Sequence, residues 1–379
     1  MIKSFKIRLY PTKEQERLLW KHIGACRFIY NYMLEKQQNL HNVGEKRLSH
    51  FDMNNLLVSL KSEVQYNWLC DVSGVSLQKA CGDLEAAYQN FFKKICGFPK
   101  FKSRKRSKAI FPIDAAKLWF DKFDFAHIIK IGKVKFKTNF NLPVGTGRKF
   151  VNPRVSNVGG KWILSFKMEC ENQVFQLNDF SMGIDLGIKE SAVVAYSDQK
   201  LVFPNINKSR KVRLINERIK HIQRSISRKY ESNRRDNKYI KTKNIIREEN
   251  KLRKLCARLA NIRNNYIHQS THTLVSLLPQ RVVMEDLNVR GMLKNRHLSR
   301  AIQEQCFSEW IRQMEYKCKW MGIEFVQVGR FYPSSKTCHS CGCINNNLRL
   351  KDRTFVCPEC GYVADRDYNA ALNLMCYGG

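Results

Sequence analysis

The amino-acid sequence predicts a multidomain α/β protein, on three observations. Apolar side chains recur at helical spacing up to about residue 95, alternate with period two from 110 to about 178, and from 181 onward fall into strand, helices and strand again. The chain has 379 residues, which exceeds one ordinary core, so two or three domains are expected. A hydrophobic content of 43%, with 22 Phe and 14 Tyr, is ample to fill them.

Residues 2–10, IKSFKIRLY, alternate apolar and basic side chains and read as a strand with one buried and one positive face. Pro11 ends it. Thr12 and Gln15 then offer a capping box, and Leu19, Ile23, Cys26, Tyr30 and Leu34 predict an amphipathic helix over 13–37. More helices follow to about 95, the clearest at 76–94, whose closing lysines suit a helix C-terminus before Gly97 and Pro99. From 110 to 178 the alternation, clearest in Trp162, Leu164, Phe166 and Met168, and turns such as LPVGTG predict a small β-barrel or sandwich. Strand 2–10 could join it, making the helical block an insertion.

A new unit begins near Ser181 with MGIDLGIKESAVVAY. In the basic stretch after it, Leu252, Leu255, Leu259, Ile262 and Tyr266 form one core-facing stripe, and arms at 208–231 and 241–275 predict a helical hairpin. The apolar run RVVMEDL, a helix at 301–320 and a strand at 323–328 follow, with no internal repeat or low-complexity tract.

Charge narrows the function. Against 33 Asp and Glu stand 67 Lys and Arg, a net +34 that calls for a polyanion, and nucleic acid is the obvious one. Residues 100–108, KFKSRKRSK, carry Lys100, Lys102, Arg104, Lys105 and Arg106, read as phosphate contacts in preference to a merely solvated loop. No apolar run nears the ~18 residues of a spanning helix, and MIKSFKIRLYPTK has no apolar signal core, so no membrane partner and a cytoplasmic, nucleoid-associated protein are expected. Disulfide frameworks belong to short secreted chains, whereas four of these 14 cysteines sit in two CxxC pairs, which points to zinc in a reducing compartment. The others, Cys26, Cys70, Cys81, Cys256 and Cys306 among them, read as small hydrophobes.

Three acids stand out. Asp185 lies in GIDLG, inside an apolar strand, and Glu285 ends the run Val282, Val283, Met284, where a parallel strand would leave it at the mouth of the sheet. Burying either carboxylate uncompensated costs several kcal/mol, so each needs a cation, donors or a sheet edge. Asp367 lies in ADRDYNAALNL, on one helix face with Ala370, Ala371 and Leu374, whose small alanines permit close approach to a sheet. Asp365 competes for the third place, but it stands where a helix N-cap would. Three gathered carboxylates would repel unless divalent cations lay between them, and oxygen ligands suit Mg²⁺ or Mn²⁺. That is a two-metal arrangement for in-line attack on a phosphodiester, with ions ~3.5–4 Å apart. Taken singly, each acid is more often structural than catalytic.

Cys338 and Cys341, then Cys357 and Cys360, with fifteen residues between the pairs, have the spacing of a four-thiolate structural Zn²⁺ site. A glycine follows each second cysteine, allowing the positive φ of a zinc knuckle. A redox pair is the alternative, disfavoured by two matched pairs, and His339 and Cys343 are spare ligands of poorer spacing.

Together GIDLGIK, VVMEDLNVRGM, FYPSSKTCHSCG, CPECGY and DRDYNAALN resemble the TnpB family, insertion-sequence-encoded relatives of the type V CRISPR effectors. RLYPTKEQ, RFIYNYML, NFFKK and GFPKFKSRKR extend the resemblance over the N-terminal half. The resemblance implies an RNase H-like (RuvC-type) nuclease domain at 181–335 and 363–379, with Asp185, Glu285 and Asp367 as its acids and a zinc ribbon inserted at 336–362. It also implies a β-barrel wedge domain, 1–10 and 96–180, carrying a helical recognition insertion, 11–95. A guide RNA from the transposon right end would direct cleavage of matched double-stranded DNA beside a short transposon-adjacent motif, by a monomer or by a dimer on one RNA. Gln78 is implied as a reader of that motif, since a Gln can bond adenine bidentately, although a solvated helix position explains it nearly as well. Competing functions are a guided DNA-binding repressor without cleavage, a strand-transfer transposase and an unguided junction-resolving nuclease.

Overall fold

In Ile2–Tyr10 (β1) the side chains of Phe5, Ile7 and Leu9 turn inward while Lys6 and Arg8 are exposed, as alternation requires. The computed structural model describes residues 1–378 except 139, 141, 143, 144, 146–149, 172, 236, 237, 350 and 351. They fall into two compact units, Met1–Glu171 and Asn172–Gly379.

In the first unit β1 leads to α1 (Lys13–Asn42), opened by the predicted capping box: Gln15 N donates to Thr12 Oγ1 at 3.2 Å and Thr12 N to Gln15 Oε1 at 3.0 Å. The helix runs five residues past its predicted end at 37. Then come α2 (His50–Ser62), a 3₁₀ turn at Val64–Asp71 and α3 (Gly74–Phe92). Six strands follow: β2 (Ala109–Pro112), β3 (Trp119–Phe120), β4 (Phe125–Ile128), β5 (Gly132–Lys137), β6 (Phe150–Val158) and β7 (Lys161–Glu169).

They pair antiparallel with β1 in the order β2-β6-β7-β1-β5-β4-β3, so strand 2–10 does join the later strands, with Ile2 opposite Glu169 and Leu9 opposite Trp162. The two end strands β2 and β3 are not paired to each other among the described residues, and the described ladders form an open sheet where a barrel or sandwich was expected. Most of the predicted LPVGTG turn, 142–147, lies outside the described residues. Leu19, Ile23, Ile29 and Met33 of α1 and Leu77 and Leu84 of α3 share one core with Phe111, Phe120, Leu164 and Phe166. Across it Arg154 grips Asp83 of α3 with two bonds, 2.7 and 2.9 Å.

The second unit opens with β8 (Asn178–Asp185), β9 (Glu190–Tyr196) and β10 (Gln199–Pro204). The predicted hairpin follows as α4 (Arg210–Ser232) and α5 (Lys243–Val275), joined through the small ladder of β11 (Arg234–Arg235) and β12 (Lys238–Tyr239). After β13 (Pro279–Glu285) come α6 (Val289–Met292), α7 (Ser299–Gln305), α8 (Phe307–Met321) and β14 (Glu324–Val328). The strands β15 (Thr354–Val356) and β16 (Val363–Asp365) and the final helix α9 (Arg366–Met375) complete it.

One helix was expected over 301–320, and the structure breaks it at Cys306, φ 54° and ψ 41°. Gln305, buried at the break, donates to Ile188 O at 3.1 Å and accepts from Ser191 Oγ at 3.2 Å, which ties the end of α7 to the β8–β9 turn. The main sheet runs β10-β9-β8-β13-β14, antiparallel up to β8 and parallel from β8 through β13 to β14. This mixed five-stranded sheet resembles the RNase H-like topology.

Successive residues of its two central strands face opposite sides. Met182, Ile184, Val282 and Met284 point to one face and pack with Ile267 and Leu274 of α5 and Trp310 and Met314 of α8. Val193, Ala195 and Val283 point to the other, against Ala371, Leu372 and Leu374 of α9. Among the described residues no helix is long and apolar enough to cross a membrane.

Candidate functional site

The register of the two parallel central strands places the first two acids. Ile184 of β8 stands beside Met284 of β13, so the next residues, Asp185 and Glu285, are the adjacent terminal residues of both strands. Because Ile184 and Met284 belong to the α5–α8 side, both acids face the α9 side. Asp367 lies in the first turn of α9, one turn before Ala371. That helix lies so close to the sheet that a Cβ on Gly183 would meet Ala371 O at 2.0 Å and Met375 N at 2.4 Å.

Electrostatics mark two of the three residues. Burial raises the Asp185 carboxyl well above the usual carboxylate range, and the charges of Glu285 and Asp367 raise it further, against the pull of Arg366. Burial also raises Glu285, opposed by the Ser334 hydroxyl, which donates to Glu285 Oε1. Asp367 Oδ1 accepts from Arg366 Nη2 at 2.8 Å and Nε at 3.2 Å, and both side chains keep 15% exposure. The competing Asp365 is the N-cap of α9, accepting from Tyr368 N at 3.0 Å. Asp286, next to Glu285, is tied to Arg330 at 2.7 Å. Three carboxylates at one end of the sheet make an oxygen-only donor set, which is the kind that fits a hard divalent cation. Among the described residues the cysteines discussed next are the only group of three or more His, Cys, Asp or Glu whose ligand atoms all lie within 4.8 Å of one another. The carboxylates share one end of the sheet without closing to that spacing, Asp367 being held by Arg366 and Glu285 by Ser334.

Cys338, Cys341, Cys357 and Cys360 form that cluster, suited to a structural Zn²⁺ site, with Sγ–Sγ distances of 3.6 Å from Cys338 to Cys360 and 3.5 Å from Cys341 to Cys357. Each knuckle closes through its glycine: Gly342 N donates to Cys338 O at 2.9 Å and Gly361 N to Cys357 O at 3.2 Å, with φ of +76° and +71°. Backbone N–H groups of Cys360 and Glu359 lower the Cys357 thiol, while that of Cys341, its partner at 3.5 Å, is raised. Phe355 of β15 is fully buried beneath the cluster, and β16 runs directly into α9. His339 and Cys343 stand outside the cluster.

Four residues beside these sites were not singled out in the sequence: Ser334, Arg366, Asn369 and Asn373. Asn369 and Asn373, buried and one turn apart on α9, bond the backbone of residues 334–339. Their i, i+4 spacing on a helix face otherwise lined with alanine and leucine was the available signal.

The proposed nucleic-acid residues lie in the first unit. Lys100, Arg104, Lys105 and Arg106 are exposed, and so is Gln78 on α3. Lys102 differs. Its ammonium sits 3.5 Å from the centre of the Tyr30 ring, burial lowers its pKa, and its backbone exchanges bonds of 2.7 and 2.8 Å with Asn31, so it is turned inward in this arrangement.

Comparison with known proteins agrees with the fold and the motifs. Family profiles described as "Cas12f1-like, TNB domain", "Helix-turn-helix domain" and "Probable transposase" match residues 307–374, 1–46 and 166–296. A Streptomyces pristinaespiralis protein named "Putative RNA-guided DNA endonuclease" is 32% identical over 99% of this chain and 89% of its own. The Escherichia coli protein named "Putative RNA-guided DNA endonuclease InsQ" is 31% identical over 100% and 92%. A cryo-EM structure of a Cas12f1-sgRNA-target DNA complex shares the fold, with a TM-score of 0.61 at 13% identity over 99% of this chain and 98% of that one. The chain belongs to the TnpB family of IS605-type, transposase-associated RNA-guided nucleases.

Proposed function

We propose that the chain is an RNA-guided DNA endonuclease that hydrolyses phosphodiester bonds at Asp185, Glu285 and Asp367 with bound Mg²⁺ or Mn²⁺. The observation that carries the reading is the pair of adjacent parallel strands ending in Asp185 and Glu285 on the face covered by α9, the helix that bears Asp367. Bound there, two such ions supply an activated water and stabilise the leaving 3′ oxygen. Asp185, whose carboxyl is raised by burial and by the neighbouring Glu285 and Asp367, would be one of the ligands to bound metal, and a cation there would favour its charged form. Glu285 is oriented by Ser334, and Asp367 would exchange its Arg366 partner for metal.

Zn²⁺ in the four cysteines holds the ribbon, 336–362, as a structural insertion in a nuclease domain of 181–335 and 363–379. Residues 1–10 and 96–180 are assigned to a β-barrel wedge domain carrying a recognition domain of 11–95, although the chain divides at Glu171 and Asn178–Asp185 is a strand of the nuclease sheet. The guide comes from the transposon right end, and the target is double-stranded DNA with an adjacent motif read near Gln78. Lys100, Arg104, Lys105 and Arg106 meet phosphates, and Lys102 joins them only by leaving Tyr30.

The test is to express the chain with RNA from its own locus and to offer guide-matched plasmids with a randomised flank, Mg²⁺, and Asp185→Ala in parallel. Cleavage that requires the guide, a defined flank and Asp185, falling by about a thousandfold or more in the variant, supports the reading; that loss corresponds to about 4 kcal/mol in the barrier. Guided binding without cleavage favours a repressor, and a protein that copurifies with no RNA favours a strand-transfer transposase. An Asp185→Ala variant that nicks at the wild-type rate sinks the metal-site assignment.

A further inference from the structure

We propose that Ser334, held by Asn373, is a positioning residue that couples the folded four-cysteine ribbon to the orientation of Glu285. Ser334 is 2% exposed, and its hydroxyl donates to Glu285 Oε1, which leaves Oε2 as the oxygen free to face a cation. Its own carbonyl accepts from Asn373 Nδ2 at 2.7 Å, and the same nitrogen reaches Thr337 O at 2.7 Å. One turn earlier on α9, Asn369 Nδ2 donates to Thr337 O at 2.7 Å and Asn369 Oδ1 accepts from His339 N at 3.1 Å.

Residues 334–339, the approach to the first knuckle and Cys338 itself, are therefore stapled along α9 by two buried asparagines. Buried amides that lost these partners would be left unsatisfied, so the segment has one favoured position on the helix. Ser334 extends that fixed segment into the carboxylate site. A folded ribbon thus holds one oxygen of Glu285 in place before any cation arrives, and a displaced ribbon releases it. A hydrogen bond to a ligating carboxylate of this kind is worth roughly ten- to a hundredfold in metal affinity.

The inference rests on the carboxylate site proposed above, and its test separates the two. The whole chain with its guide is prepared as wild type, Ser334→Ala, Ser334→Thr and Asp185→Ala. For each, zinc content, affinity for matched DNA, Mn²⁺ binding by EPR titration and cleavage against Mn²⁺ concentration are measured. Ser334→Ala is expected to keep zinc and DNA affinity, to need about tenfold more Mn²⁺ for half-saturation, and to cleave more slowly at low Mn²⁺. Ser334→Thr, which retains the hydroxyl, is expected to restore both. Wild-type Mn²⁺ binding in Ser334→Ala overturns the proposal, as does a loss of zinc and DNA affinity that Ser334→Thr shares. If Asp185→Ala also binds Mn²⁺ as wild type does, the carboxylate reading itself falls. If only Ser334→Ala matches wild type, the carboxylate reading stands and the coupling alone is wrong.

Discussion

A Cβ on Gly183 would stand 2.0 Å from the carbonyl oxygen of Ala371, so the strand bearing Asp185 and the helix bearing Asp367 touch backbone to backbone. The obstacle is main chain, which no rotamer change relieves. Gly183→Ala is therefore expected to push α9 off the sheet and to destabilise the second unit by about 3 kcal/mol, the upper part of the usual range for overpacking. Urea denaturation would read the stability, and cleavage should fall with it, because Asp367 moves away from Asp185. An alanine variant with wild-type stability and cleavage would mean that α9 does not approach so closely.

Lys317 gives the molecule a pH dependence. It is 4% exposed between α8 and α5, donates to His268 O at 2.7 Å and Thr271 Oγ1 at 2.6 Å, and burial lowers its pKa from 10.5 to about 8. Between those values the unfolded chain binds more protons than the folded one, so this residue makes stability rise with pH from about 8 upward. Below pH 8 the full cost of burying the charge is present, about 3 kcal/mol. Lys317→Met should remove that rise and be at least as stable as wild type near neutral pH. Thermal melts of the two proteins from about pH 7 to about pH 10 check this, and parallel curves would refute it.

Cys357→Ser removes one of the four sulfurs of the cluster. Zinc content should drop by more than about tenfold. Hydrogen exchange should quicken across 334–376, since the ribbon is bonded to α9 through Asn369 and Asn373, while the β7 peptide stays protected. Undiminished protection without zinc would show that the cluster is not structural.

Nucleic-acid affinity should depend on the exposed cations of the 100–108 segment. Replacing Arg104, Lys105 and Arg106 together by Gln is expected to reduce the slope of log affinity against log salt by about 2–3. Lys102→Gln should leave the slope unchanged and lower stability instead, because its ammonium covers Tyr30. Filter binding over a salt series distinguishes the two classes.

By itself the sequence determined what local chemistry can specify. The strand at 2–10, the Thr12 capping box, the α4–α5 hairpin and the CxxC knuckles with their glycines were legible because each depends on neighbours within a few residues or on a fixed spacing. The acids were legible as misfits, carboxylates set in apolar runs. Local periodicity did not reveal the break at Cys306, because its anchor, Gln305, bonds to a turn more than a hundred residues earlier. Nor could it reveal that Ser334 reaches Glu285, that Lys102 folds over Tyr30, or that the seven-stranded sheet stays open among the described residues. Tertiary structure alone decided the register that sets Asp185 beside Glu285 and the close approach of α9 above Gly183. Register and approach are set by hydrogen bonding and packing between segments a hundred or more residues apart, a relation no single stretch of sequence contains.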